Sequence, residues 1–255
     1  MPLIKDEAVA LRRLDYSETS QVLVFFTRAN GKQRLIAKGI KRGTKVRFAT
    51  GIDLLEQGQL VFSRRDQAAP RLGTLTEWRQ EDVFADLRRD LRWMYAGQYA
   101  SEAVDAATEE NDPAARLYDA TVTVLRSLAR EGLPALVRFQ RTLLEQIGLA
   151  PDLTRCVVCG RQWSGKTRAM FSARQGGLIC RECEGPLVEK RPVEAEVAAA
   201  LIDGSIGEQV AAGAFDLLDY HLTESLGRRL RLSRYVRQVV LGDPRGGPSC
   251  SRGDP

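Results

Sequence analysis

Residues 7–79 alternate and cluster their apolar positions in the manner of short β-strands. Ala8 to Leu11 reads as a first strand, and Ser20 to Thr27 (SQVLVFFT), dense in β-branched and aromatic residues, as a second. Ala29-Asn30-Gly31 then gives a hairpin signal, because Asn and Gly both tolerate positive φ. Gln33 to Ala37 is the return strand. Leu54-Leu55 with Gln59 to Ser63 suggests a fourth strand, and Leu72 to Arg79 a fifth. Five short strands in this space fit a small closed barrel, of the OB or the SH3-like kind; periodicity does not separate the two.

From residue 81 the period changes to that of helices. Leu91, Met94, Tyr95, Tyr99 and Val104 share a face over Asp90 to Ala107. Asn111-Asp112-Pro113 predicts a helix start, and that helix runs to about Arg130. Gly132-Leu133-Pro134 breaks it and opens a third helix, with Leu136, Phe139, Leu143, Leu144 and Ile147 as its apolar stripe and Gly148 as its end. Helix is predicted again over 193–202 and about 214–241. Gly242 to Pro255, rich in Gly, Pro and Ser, predicts a disordered tail.

With 44% apolar residues, the 255-residue chain has enough material for a sizeable core, divided among two or three modules. The first residues carry no apolar stretch of the secretory kind, and no run approaches 18 uncharged apolar residues, so a cytoplasmic protein is expected. A lone histidine, His221, allows one imidazole base at most and excludes a multi-histidine metal centre; its setting among Leu217, Leu218 and Leu222 points to a core edge. This tilts the reading from enzyme to binding protein.

Charge sharpens that reading. Residues 1–79 hold 15 basic and 8 acidic residues, a net of +7, whereas 80–150 hold 8 and 12, a net of −4. Residues 151–190 carry a net of +3 (7 and 4), and 191–255 a net of −1 (8 and 9). A basic module of this kind suits a phosphate backbone. Its candidate contacts are Lys32, Arg34, Lys38, Lys41, Arg42, Lys45 and Arg47, on and after the hairpin. Tyr16, Phe25, Phe26 and Phe48 lie nearby as possible stacking rings, although adjacent Phe25 and Phe26 must point to opposite faces, so that at least one is core. A second basic stretch comprises Arg228, Arg229, Arg231, Arg234 and Arg237. If helical, its last three members form one ridge, for DNA or for an acidic peptide tail.

Four of the five cysteines form Cys156-x2-Cys159-x20-Cys180-x2-Cys183. Two such knuckles at this separation indicate a tetrahedral zinc site, one ion, closed by four thiolates and therefore structural. Cys250 stands apart in the tail as a free thiol. Gly160 to Thr167 (GRQWSGKT) matches a phosphate-binding loop, but a zinc knuckle precedes it and no helical period follows; no bound nucleotide is expected.

The chain resembles the bacterial RecO family of recombination mediators. The resemblance rests on Tyr16-Ser17-Glu18, Phe26-Thr27 with Gly31-Lys32, Ala37-Lys38-Gly39, Phe139, Gly148-Leu149-Ala150-Pro151 running into Cys156-x-x-Cys159-Gly160, and Gly176-Gly177-x-x-Cys180-x-x-Cys183. It covers roughly residues 3–241. Some family members lack the cysteines; this chain keeps all four. The resemblance implies a non-enzymatic, nucleoid-associated protein that binds single- and double-stranded DNA and anneals complementary strands. With the partner RecR it would help a recombinase replace single-strand-binding protein (SSB), whose acidic C-terminal tail it would contact. The alternative is a zinc-ribbon regulatory or interaction protein that binds nucleic acid without annealing.

The expected fold is thus α+β and multidomain. An OB-like five-stranded barrel over 1–80 would bind DNA. An all-α helical domain would occupy 81–151 and 191–241, with the four-cysteine zinc site inserted at 152–190 and the tail at 242–255.

Overall fold

The computed structural model describes residues 2–18, 20–38, 51–64, 72–165 and 168–242. Its first five strands are β1 (Ile4–Asp15), β2 (Gln21–Thr27), β3 (Gly31–Ala37), β4 (Gln57–Ser63) and β5 (Gly73–Asp82). They close into a barrel in the order β1-β2-β3-β5-β4. All pairings are antiparallel except β3 with β5, which run parallel through Leu35↔Gly73 and Ile36↔Thr74. This closure is that of the OB-fold and decides the choice that periodicity left open. β1 is longer than the apolar run suggests, since its register shifts between Ala10 and Arg12 where it pairs with β2. Such a bulge bends a strand, and here β1 serves β2 on one side and β4 on the other.

β2 is buried on both faces, which is why VLVFF runs without polar interruption. Phe25 points into the barrel and meets Trp78 at 5.1 Å between ring centroids. Phe26 points outward and meets Tyr118 of the helical layer at 6.2 Å. Ala8 and Ala10 leave room inside the barrel for Phe25, Phe62 and Trp78. On the outer face, Val9, Leu11, Val24 and Phe26 join the helical core, so barrel and helices share one apolar interface.

The helices are α1 (Ala85–Arg88), α2 (Leu91–Ala107), α3 (Ala115–Glu131), α4 (Leu133–Gln146), α5 (Ala195–Asp203), α6 (Glu208–Leu226) and α7 (Ser233–Tyr235), followed by a π-turn, Val236–Val240. Asp90 caps α2 by accepting the Arg92 N–H at 2.9 Å. Gly132, at φ 62°, ends α3 and leads directly into α4, with Pro134 in its first turn. The expectation of one helix over 214–241 is corrected. α6 begins earlier and stops at Leu226, where Gly227 adopts the left-handed conformation (φ 64°). Among the described residues no helix is long and apolar enough to cross a membrane.

Between α4 and α5 stands a sheet of β6 (Asp152–Cys156), β7 (Ala169–Ser172), β8 (Gly177–Ile179) and β9 (Arg191–Val193), in the order β6-β8-β7-β9. Phe171, Leu178 and Val193 anchor it in the main core.

Gly31 joins the two halves. Its φ is +67°, and a Cβ there would land inside the Asp112 carbonyl. Lys32 continues the contact, its carbonyl accepting the Asn111 N–H at 3.0 Å. Gly31→Ala is expected to destabilise the protein by about 2–4 kcal/mol, combining left-handed strain with a backbone clash. A urea melt within about 0.5 kcal/mol of wild type would show that the contact yields freely.

Candidate metal centre and nucleic-acid interface

β6 ends on Cys156, and the chain turns at once. The Gly160 N–H donates to the Cys156 carbonyl at 2.8 Å, and the Cys156 N–H donates to the Arg161 carbonyl at 2.8 Å. The second knuckle is built alike, with the Cys183 and Glu184 N–H groups donating to the Cys180 carbonyl at 2.9 and 3.1 Å. The four Sγ atoms of Cys156, Cys159, Cys180 and Cys183 lie within 4.8 Å of one another, with Cys159 and Cys180 at 3.7 Å. A tetrahedron with metal–sulfur bonds of about 2.3 Å has edges of about 3.8 Å. All four are free thiols. Arg161 and Glu182, one on each knuckle, clasp across the pair through two bonds of 2.7 and 2.6 Å.

The donor set fits a divalent cation. Burial opposes ionisation of Cys156, yet backbone N–H groups of Cys180, Cys159 and Val158 outweigh it and bring the thiol down to about 6. Cys183, hydrogen-bonded to Cys180 and facing the other sulfurs, is pushed up to about 12. Four thiolates within 4.8 Å of one another would repel, and a divalent cation at the centre offsets that repulsion. Four sulfurs leave no ligand position open to water. Of the phosphate-loop look-alike next to this site, Lys166 and Thr167 lie outside the described residues; the next described element is the strand β7, not a helix whose N-terminus could receive phosphate.

The basic residues of the barrel separate into distinct groups. Lys38 is exposed at the end of β3. Lys41, Arg42, Lys45, Arg47 and Phe48 lie outside the described residues. Arg34 is exposed and pairs with Glu110 at 2.6 Å. Lys32 is not a surface cation, and the expectation for it is corrected. It is 7% exposed, and its ammonium donates to the Asp105 carbonyl at 2.6 Å beside the Asp105 carboxylate at 3.3 Å. The close approach of Gly31 to residue 112 draws the next side chain inward, where its charge must be answered. Phe25 and Phe26 are both core, so neither ring is free to stack on a base. Tyr16, by contrast, is 68% exposed.

The C-terminal arginines do not form one helical ridge. Arg228, Arg229 and Arg231 sit in the non-helical segment before α7, whose backbone is fixed by Glu102. That carboxylate accepts the Arg231 and Leu232 N–H groups at 2.9 and 2.8 Å. All three side chains are exposed, and among the described residues no carboxylate lies within ion-pair distance of them. Arg234 lies over the Tyr235 ring at 4.5 Å. Arg237 turns inward to Asp216 at 2.7 Å and Asp219 at 2.6 Å. It holds the chain end in place, and its charge is compensated.

Sequence reasoning missed Asp219. Its carboxylate accepts from Tyr99 Oη at 3.0 Å, Ser233 Oγ at 2.6 Å and Arg237, and Tyr99 Oη accepts from Gln140 Nε2 at 2.7 Å. These groups come from distant parts of the chain, so no local pattern announces them. Arg12 and Arg13, adjacent on β1, were a visible dibasic signal but look like ordinary strand solvation. His221 is a core residue: its Nε2 lies 2.8 Å from the Leu149 carbonyl, and its ring meets Phe171 edge-on at 5.4 Å. Burial lowers its pKa, so the neutral imidazole donates from Nε2.

Two family profiles together match most of the chain. Recombination protein O N terminal matches residues 1–84 and Recombination protein O C terminal residues 88–234. The DNA repair protein RecO of Alkaliphilus metalliredigens is 35% identical over 186 residues, 72% of this chain and 73% of that protein. The proteins of the same name from Moorella thermoacetica and Bacillus pumilus are each 28% identical. They cover 98% and 93% of this chain, and 96% and 94% of their own lengths.

Proposed function

The chain belongs to the RecO family of DNA repair and recombination proteins, and from that premise we propose that it works as a recombination mediator without a catalytic step of its own. It binds single- and double-stranded DNA and anneals complementary strands. With RecR it helps a recombinase onto SSB-coated single strands. The observation that carries the reading is a closed barrel in OB strand order, built from the most basic segment of the chain. Residues 1–80 serve as the DNA-binding barrel. Residues 81–151 with 191–241 form the helical support, and 152–190 a metal-stabilised unit holding one structural Zn2+ on Cys156, Cys159, Cys180 and Cys183. The first basic surface comprises Arg34, Lys38, Lys41, Arg42, Lys45 and Arg47. Arg228, Arg229, Arg231 and Arg234 supply a second, for DNA or the acidic tail of SSB. The protein acts in the cytoplasm at the nucleoid.

Annealing needs the repulsion between two phosphate backbones to be offset, which separated cationic surfaces accomplish. A salt titration of binding to a fluorescent single strand tests this. Changing Lys38, Lys41, Arg42 and Arg47 to Ala is expected to flatten the log–log slope by about 0.7 for each lost phosphate contact. An unchanged slope would move the DNA off this surface. No binding by the wild type at low salt would overturn the nucleic-acid reading.

A further inference from the structure

A cleft of about 650 Å³ lies between the barrel and the segment that follows α6. Arg12 and Arg13 of β1 form one wall, and Arg228, Arg229 and Arg231 the other. Five arginines face two carboxylates there, Glu102 and Asp105. Both acids are already engaged: Glu102 holds backbone N–H groups, and Asp105 pairs with Arg12 at 3.2 Å and with buried Lys32. Arg13 is shared with Asp53 at 3.0 Å, but both partners are exposed, so the pair is weak and exchangeable. Among the described residues the cleft therefore keeps an excess of positive charge.

Its floor carries a second signal. Ser101 lines the cleft, and its hydroxyl is buried with no hydrogen-bond partner among the described residues. Leu14 lines the same cleft at 53% exposure, and two residues beyond it stands exposed Tyr16, in the β1–β2 turn.

We propose that this cleft is a single-strand path joining the barrel to the helical domain, with phosphates on the two arginine walls and a base stacked on Tyr16. The inference rests on the DNA-binding reading above and places one segment of the strand within it. Charge on both walls suits a backbone that repeats its phosphates. Tyr16, exposed two residues beyond the cleft-lining Leu14, would supply the sequence-tolerant stacking contact that single-strand binders use. The turn between the first two strands is also among the OB-fold loops that contact oligonucleotides. The two walls come from parts of the chain about 200 residues apart, so a strand seated here also ties the helical domain to the barrel.

The test uses the full, metal-loaded chain and a fluorescein-labelled 20-nucleotide oligo-dT, followed by anisotropy between about 20 and 300 mM salt. Arg228→Ala/Arg229→Ala/Arg231→Ala is expected to flatten the log–log slope by about 2, or about 0.7 for each lost contact, and to weaken binding at least tenfold. The three side chains are exposed, so the melting midpoint should hold. Arg13→Ala, on the opposite wall, should flatten the slope by about 0.7 and gives an independent reading. Tyr16→Ala should weaken binding about tenfold, while Tyr16→Phe stays near wild type. A triple variant that binds as wild type does, with the same slope, overturns the path and leaves the mediator reading standing. Wild-type protein that fails to bind the strand overturns both. A triple variant that keeps the strand but loses an Asp/Glu-rich peptide makes the cleft a peptide dock and overturns the proposal.

Discussion

A Cys156→Ser chain is expected to lose the zinc proposed for the four-cysteine cluster and, with it, the order of β6 to β9. The strands of this sheet are only three to five residues long, too short to persist on backbone pairing alone. Cys156 links the last residue of β6 to Leu178 of β8 in the register. Its sulfur is also the buried member of the cluster. In small zinc domains the metal supplies roughly 10–16 kcal/mol of apparent binding energy that is also folding energy. Here part of the sheet has other support, because Phe171, Leu178 and Val193 enter the main core. The loss should therefore be regional. Native mass spectrometry should find one zinc ion per wild-type chain and none on the variant. Hydrogen exchange should show β6, β8 and the knuckles losing protection while the barrel strands keep theirs. A metal-free chain with β8 still protected would show that packing alone holds the sheet.

Asp219→Ala should be the most damaging single change in the helical domain. The carboxylate is buried with Tyr99, Ser233 and Arg237 around it. Removing it leaves the Arg237 guanidinium with Asp216 alone, and it orphans two buried hydroxyls. Breaking a buried pair from one side costs about 3–5 kcal/mol, which in a protein of this size lowers the melting midpoint by roughly 10 °C. Burial beside Asp219 pushes the Tyr99 phenol well above its ordinary range, so it remains a donor at any working pH and cannot replace the lost charge. The π-turn Val236–Val240 should loosen first, since Arg237 is its tie to α6. Arg237→Ala should be comparably harmful, and the double variant less so than the sum, because the two changes remove the same network. A midpoint within about 2 °C of wild type would show that Asp219 is dispensable.

These two sites illustrate what one-dimensional reading can and cannot reach. The cysteine centre was legible because its geometry is local: each knuckle places two sulfurs on one turn, and the spacing between knuckles is short enough to fold back. The barrel strands were legible because short runs of β-branched and aromatic residues stand between turn signals such as Asn30-Gly31; β6 to β9, three to five residues long, are too short to show a period. The OB or SH3 choice was not, because it turns on whether β3 and β5 run side by side, a pairing across about 40 residues that leaves no trace in either strand.

Charge was the least readable property. Lys32 and Arg34 look alike in the sequence. One is buried against Asp105, which lies 73 residues away, while the other stands in solvent beside Glu110. Arg231, Arg234 and Arg237 share a helical spacing, but Gly227 interrupts the helix and the three separate into an unpaired cleft wall, a ring-stacked cation and a structural anchor. The sequence by itself determined the barrel strands, the main helices, the four-cysteine cluster that could hold a metal and the excess of positive charge at the N-terminal end, because each follows from neighbours along the chain; it gave no sign of the short strands β6 to β9. The tertiary structure alone decided which cations remain free, that Phe25 and Phe26 are both core, and that five arginines from two layers meet across one cleft. A charge is free or spent according to what lies opposite it in space, and that partner comes from elsewhere in the chain.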